Sequence, residues 1–244
     1  MSRTADESPA PPAGESADAG AEPPALPPRE ELERHPHHVL KDEGPGAPRV
    51  VRYDLPGGPV VLKEWLPSGS RLVDFWGHMI LRREIRNYRV LDGTPGIPRF
   101  VGAYSDRCFV MAWVDAHPLK RKLPQDLKDR ALVDLETKLE GLHARRFVHL
   151  DLHQKLNALV TPEGKVWFVD LGQGFDCSRN LFLKLLFPLM VRVDRRAIVK
   201  FRARYAPHML PEADRDRLVE RHKESRGKAW KHLHRRIRKR LTRP

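Results

Sequence analysis

The sequence predicts an α+β chain of two lobes, a small strand-rich lobe followed by a minimal, mainly helical one. Three observations carry this prediction. Strand-forming runs at residues 49–55 and 60–65 flank the turn Pro56-Gly57-Gly58-Pro59. Two long stretches, 72–91 and 123–144, repeat their apolar residues at helical spacing. Beyond a junction near residues 112–120 the chain is mostly helical in pattern, interrupted by one small hairpin.

Each element follows in order. After the first hairpin, residues 72–91 hold no Pro and one Gly, Gly77, with Ile80, Leu81, Ile85, Tyr88 and Leu91 at helical intervals. Thr94-Pro95-Gly96-Ile97-Pro98 ends that helix. Residues 100–104 and 108–114 read as strands around the turn Ser105-Asp106-Arg107. The second helix carries Leu127, Ala131, Leu135, Leu139 and Leu142 on one face. A turn at Pro162-Glu163-Gly164 precedes the apolar strand 166–169, and the rest is helical to about Arg204 with a break at Pro188.

Charge and composition set the ends apart. The 244 residues fit one domain of the larger kind with tails, and a mean hydropathy of -0.56 with 32% charged residues places part of the chain outside any packed core. Residues 1–34 read as a disordered Pro/Ala/Glu-rich segment, 35–114 as the first lobe, 115–211 as the second, and 212–244 as a basic amphipathic tail. His35-Pro36-His37-His38 reads as a solvated linker. Of the formal charge of +13, residues 215–244 contribute +10, with Trp230, Leu233, Ile237 and Leu241 spaced as a helical stripe among Lys and Arg. Such a tail suits peripheral contact with an anionic membrane or another polyanion, with no specific nucleic acid implied; the plainer reading packs its stripe on the domain.

Cys108 and Cys177 make neither a disulfide framework nor a zinc site, and no signal peptide is read at the start, so the expected location is cytoplasmic, with peripheral attachment at the inner membrane surface. Residues 181–193 are the longest apolar stretch, too short and too interrupted by Lys184, Pro188 and Arg192 to span a bilayer. Two readings stand for them: a membrane-facing surface beside the tail, or the main core helix of the second lobe, which is the plainer one.

The residues that carry chemistry suit phosphoryl transfer. That reaction needs a lysine for nucleotide phosphates, an acid to position it, a carboxylate beside the acceptor hydroxyl and oxygen ligands for Mg2+. Lys63 lies on the strand Val60-Val61-Leu62-Lys63, and Glu84 lies mid-helix 21 residues later. Asp151 sits in a loop bracketed by apolar residues, Asn157 is six residues on, and Asp170 ends a hydrophobic strand. Taken alone, Lys63 and Glu84 also read as an ordinary ion pair, and His149 and His153 as packing residues. The alternation His149, Asp151, His153 offers a zinc site as the competing chemistry, with no further cluster nearby to complete it.

Val148-His149-Leu150-Asp151-Leu152-His153, with Asn157-Ala158-Leu159-Val160 and then Val169-Asp170-Leu171-Gly172, resembles the catalytic and metal-binding segments of the protein-kinase-like superfamily. More narrowly it is similar to the small bacterial atypical branch that includes RIO-type and lipopolysaccharide core kinases, to which Leu81-Arg82-Arg83-Glu84-Ile85-Arg86-Asn87 and Gly96-Ile97-Pro98-Arg99 also correspond. The resemblance implies a two-lobed protein-kinase-like fold with ATP and Mg2+ as cofactors. It implies Asp151 as catalytic base, Lys63 as phosphate contact, Glu84 as its partner, and Asn157 and Asp170 as metal ligands. Met111, Ala112 and Val114 would bind the adenine through the backbone near Ala112 and Val114.

Three places depart from the superfamily pattern. Leu156 stands where the metal-binding Asn usually falls, with Asn157 one residue further. Leu150 replaces the usual Arg or Gly, and Leu171 replaces Phe. Gly44-Pro45-Gly46-Ala47-Pro48 is a poor glycine-rich loop, with two prolines that have no N–H for a phosphate. No long activation segment or full peptide-docking subdomain is expected after Gly172. The function expected is an ATP- and Mg2+-dependent transfer of the γ-phosphoryl to a hydroxyl, a protein Ser/Thr hydroxyl in the first place. The alternatives are a sugar hydroxyl of the lipopolysaccharide core, or a pseudokinase serving as a binding module.

Overall fold

The computed structural model describes residues 25–120, 122–152, 157–212 and 214. The stretch 1–24, the tail 215–244, His153 and Leu156 lie outside these residues.

The first lobe is a five-stranded antiparallel sheet in the order β1-β2-β3-β5-β4, formed by β1 (His37–Lys41), β2 (Pro48–Leu55), β3 (Gly58–Trp65), β4 (Phe100–Ser105) and β5 (Cys108–Ala112). Leu55 pairs with Gly58, so the strands run further into the turn than the sequence indicates and leave a two-residue loop at Pro56-Gly57. The centre of β3 is buried on both sides. Val61 belongs to the main core with helix α2 (Arg71–Leu91), while Val60 and Leu62 belong to a second cluster beneath the opposite face.

That second cluster corrects two expectations about the N-terminal side. Residues 25–34 are not a disordered stretch. A single helical turn, α1 (Arg29–Leu32), buries Leu32 completely against the sheet, Leu26 packs beside it, and the Tyr104 hydroxyl donates to the Pro27 carbonyl at 2.7 Å. The His-rich stretch is not a linker either, since His37 and His38 begin β1, an exposed edge strand paired with β2.

A four-residue link, 113–116, leads to the second lobe. There β6 (His117–Pro118), β8 (Ala158–Val160) and β9 (Val166–Phe168) form a small sheet, and β7 (Phe147–Val148) pairs with β10 (Phe175–Asp176). Helix α3 (Gln125–Ala144) carries Ala131, Leu135, Leu139 and Leu142 into the core, as its periodicity predicts, with Leu132 added and Leu127 only half-buried.

Helix α4 (Leu181–Tyr205) is unbroken, with Pro188 inside it. Proline removes one hydrogen bond to the carbonyl four residues earlier. Pro188 and Lys184 are both on the exposed face, where solvent can satisfy that carbonyl, so the helix continues. The helix is not the core helix along its whole length. Ala197, Ile198, Phe201 and Tyr205 are buried, whereas Leu181, Phe182, Leu185 and Leu189 are exposed.

Gly77 shows why α2 tolerates a glycine. The Trp65 indole lies across it, so that an added Cβ would fall 2.1 Å from the ring. Gly77→Ala should therefore lower stability by about 1–3 kcal/mol through overpacking, although alanine is the better helix former by roughly 1 kcal/mol. Urea unfolding of the two proteins checks this, and equal or higher stability in the variant would show that Trp65 moves aside freely.

Candidate active site

Alternation along β3 sends Val61 and Lys63 toward the cleft, and the helical period of α2 brings Leu81, Glu84, Ile85 and Tyr88 to the sheet. The Lys63 ammonium donates to a Glu84 oxygen at 2.8 Å and to Asp170 Oδ1 at 3.1 Å. Lys63 is 8% exposed and Glu84 1%. Burial acts to lower the lysine pKa, but Glu84 and Asp170 outweigh it and hold the ammonium protonated, above its ordinary value. Burial pushes the Glu84 carboxyl up to about 7 against the pull of Lys63. Burial also acts to raise Asp170, yet Lys63 beside it leaves that carboxyl below its ordinary value.

Asp170 ends the stretch after β9 with φ 59° and ψ 61°, the left-handed region that non-glycine residues rarely occupy. Helix α2 holds the turn that follows. Arg83 Nε donates to the Gly172 carbonyl at 2.6 Å, and Asn87 Nδ2 donates to Leu171 and Gly174 at 2.8 and 2.9 Å. The approach is close, because a Cβ on Gly172 would stand 2.9 Å from Ile80. Sequence reasoning assigned a role to Glu84 alone. The signal for the others was their spacing, since 83, 84 and 87 fall within one turn of the helix.

Asn157 Nδ2 donates to the backbone carbonyl of Asp151 at 3.0 Å and to its Oδ2 at 2.9 Å. It is thus Asn157, one place beyond the superfamily position, that reaches Asp151. The Asn157 carbonyl accepts from Val169 N–H at 3.0 Å, which ties this loop to the strand carrying Asp170.

Asp194, which sequence reasoning passed over, fixes the other end of the loop. It is buried on α4 and accepts from the backbone N–H of His149 at 2.9 Å and of Leu150 at 2.7 Å, with His143 Nε2 at 3.1 Å. Leu150 is left-handed, with φ 62°, where a Cβ costs about 1–2 kcal/mol. Burial lowers the His149 pKa and leaves its ring neutral, with Nε2 donating to the Val169 carbonyl at 3.2 Å. His149 is therefore a brace through its Nε2, while its Nδ1 is buried without a partner among the described residues.

Lys63, Glu84, Met111, Ala112, Val114, Asn157 and Asp170 line one cavity of about 510 Å³, which Asp151 joins through Asn157. Leu40 and Lys41 of β1 also line it, along with Val50, Leu159 and Val169, which make an apolar slot. The linking segment offers backbone groups of both kinds. The Ala112 N–H is given to the Arg99 carbonyl and the Trp113 N–H to Pro59, while Val114, which lines the cavity, gives its N–H to no other backbone group among the described residues. The Asp170 carboxylate and the Asn157 amide oxygen form an oxygen-only donor pair. That pair fits Mg2+, which completes its shell with water and phosphate oxygens, better than it fits an ion seeking imidazole or thiolate.

Replacing Asp194 by alanine would leave two backbone N–H groups buried without acceptors. Asp194→Ala should cost about 2–5 kcal/mol in urea unfolding. A loss well under 1 kcal/mol would show that the loop is held by other contacts.

No family model and no curated protein matches the chain. Among solved structures it is similar to the Rio2 kinase of Chaetomium thermophilum, solved as its ADP/Mg2+-phosphoaspartate complex, with a TM-score of 0.55 and 16% identity. The match covers 75% of this chain and 59% of that one, so the chain spans about three fifths of the length of the kinase it matches. At that identity the likeness concerns architecture, and it agrees with what the strands and helices build: an α+β, two-lobed protein-kinase-like fold.

Proposed function

We propose that this protein is an ATP- and Mg2+-dependent phosphotransferase that moves the γ-phosphoryl group to a hydroxyl. The observation that supports it above all is one lysine ammonium shared by Glu84 and Asp170, in a cavity that also holds Asn157 bonded to Asp151. When bound, ATP supplies the phosphoryl group and Mg2+ offsets the charge on its phosphates. The apolar slot between Val50, Val61, Met111 and Leu159 takes the base, with the Val114 N–H as donor. Lys63 holds phosphate oxygens, Asp170 and Asn157 hold the metal, and Asp151 accepts the proton of the acceptor hydroxyl.

The acceptor we propose is a protein Ser/Thr hydroxyl. A sugar hydroxyl of a glycolipid is favoured as a second reading by one feature, the short connection from Gly172 to the start of α4 at Leu181, which leaves little chain to hold an extended peptide. Mass spectrometry after incubation with ATP alone, set against incubation with lipopolysaccharide core, separates the two.

Asp151→Asn should lower turnover on the order of 10²–10⁴-fold, the range for loss of a positioned base. Asp170→Ala should abolish it through loss of a metal ligand. Wild-type rates in both variants would overturn the reading, and Mg2+-dependent nucleotide binding without turnover on any acceptor would leave a pseudokinase.

The Lys63–Glu84 pair also sets a pH dependence. Glu84 holds Lys63 as a carboxylate, and its folded pKa of about 7 lies above the ordinary value, so the pair is complete above pH 7 and is lost as pH falls through it. Nucleotide affinity, measured by titration calorimetry, should weaken below about pH 7. The step should vanish in Glu84→Gln, and its persistence there would assign it to another group.

A further inference from the structure

Two exposed apolar faces remain that the proposed chemistry does not use. On α4, Leu181 is 81% exposed, Leu185 77% and Phe182 66%, with Leu189 continuing the stripe at four-residue spacing. On the first half of α2, Leu72 is 74% exposed and Trp76 64%, beside Phe75 and Met79. Exposed apolar side chains at this density on two helices mark contact surfaces. The inner sides of the two helices are linked through Phe175 of β10. The Arg83 guanidinium of α2 lies 4.7 Å over the Phe175 ring, and Phe175 packs in one cluster with Leu183 and Phe187 of α4.

Their charge is mainly basic. The only acids in α2 are Asp74, which accepts from Ser68, Gly69 and Trp65, and Glu84, which is buried on Lys63. The only acid in α4 is the buried Asp194. Basic residues predominate on the two helices and just before α4, among them Arg71, Arg82, Arg86, Arg179, Lys184 and Arg192, against Asp74 and the exposed Asp106, which meets His78 of α2 at 2.6 Å.

We propose that these two faces seat the protein on an anionic lipid bilayer, with Leu181, Phe182, Leu185, Phe75 and Trp76 entering the headgroup–acyl boundary and the flanking arginines meeting lipid phosphates. The basic surround favours this occupant over two others. The tail, residues 215–244 with net +10, and a second copy of the chain would each bring like charge against these faces. A nucleic acid would satisfy the arginines but leave aliphatic leucines in water. No helix among the described residues is long and apolar enough to cross a membrane, and the contact proposed for these faces is one of lying on the surface.

The test uses the full chain in vesicle flotation, with phosphatidylglycerol–phosphatidylethanolamine vesicles against phosphatidylcholine alone. Two double variants are compared with wild type, Phe182→Glu with Leu185→Glu, and Phe75→Glu with Trp76→Glu. The wild type should float with the anionic vesicles only, and each double variant should lower the bound fraction on the order of tenfold or more while melting at the wild-type temperature. Absence of wild-type binding overturns the proposal. Unchanged binding in both variants overturns it too and assigns attachment to residues outside the two faces. A lowered melting temperature, or a wild-type dimer in light scattering that the α4 variant turns into a monomer, would show the face already covered by the chain itself or by a second copy, and would likewise refute it.

Discussion

One buried cation organises this molecule. The Lys63 ammonium joins a strand, a helix and a loop that are distant in sequence, and it does so with two carboxylates in unlike settings. Glu84 is almost wholly buried and gives up charge easily, whereas Asp170 is half-exposed and keeps its charge. A buried ion pair is weak evidence for stability, because taking both charges out of water costs about as much as their attraction returns. The arrangement makes better sense as positioning. It holds a permanently charged donor at one point of the cavity and leaves Asp170 anionic at its side.

The loops beside that cation are held in unfavourable conformations by contacts from elsewhere. Leu150 and Asp170 both occupy the left-handed region, and each is next to a chemically charged position or is one. Asp194 of α4 meets the first, and Arg83 with Asn87 of α2 meets the turn after the second. Local strain of this kind persists only when the surroundings over-determine it. Here the surroundings are two long helices, which explains why α2 and α4 each spend buried polar side chains on backbone groups of a loop rather than on their own packing.

What the sequence makes legible follows from where the driving force lies. Helices α2 and α3 fall within two residues of their expected starts, because a 3.6-residue apolar repeat is a property of the segment itself. Lys63, Glu84, Asp151, Asn157 and Asp170 can be picked out by residue type and order. Elements whose reason to form lies in another element are illegible. The turn at 29–32 contributes one leucine to the underside of the sheet, and nothing in its polar, proline-rich context announces it. Strand β1 is exposed along its length and exists through its ladder with β2. Asp194 is a single acid in a basic helix, whose meaning appears only when two backbone N–H groups arrive from the loop.

Helix α4 shows how far composition can mislead about burial. Its first thirteen residues are the most apolar stretch of the chain, and a small lobe in need of a core is the obvious place to put them. Yet α4 runs against α3, with Asp194 near His143 and Phe187 under Arg146, and it starts beyond the end of that partner. The buried half is the more charged one, where Ala197, Ile198 and Phe201 face inward and arginines project outward. The apolar half turns one face to Val148 and Cys177 of the lobe, and its start is secured by Asn180, whose side chain accepts from the N–H groups of Phe182 and Leu183. This helix end is two-sided, since Leu183, Phe187, Met190 and Val191 pack with Val148 and Cys177 while Leu181, Phe182, Leu185 and Leu189 stay exposed. The inner face accounts for the helix forming here, and the exposed leucines beside Lys184 and Arg192 are what the proposed anionic contact would cover.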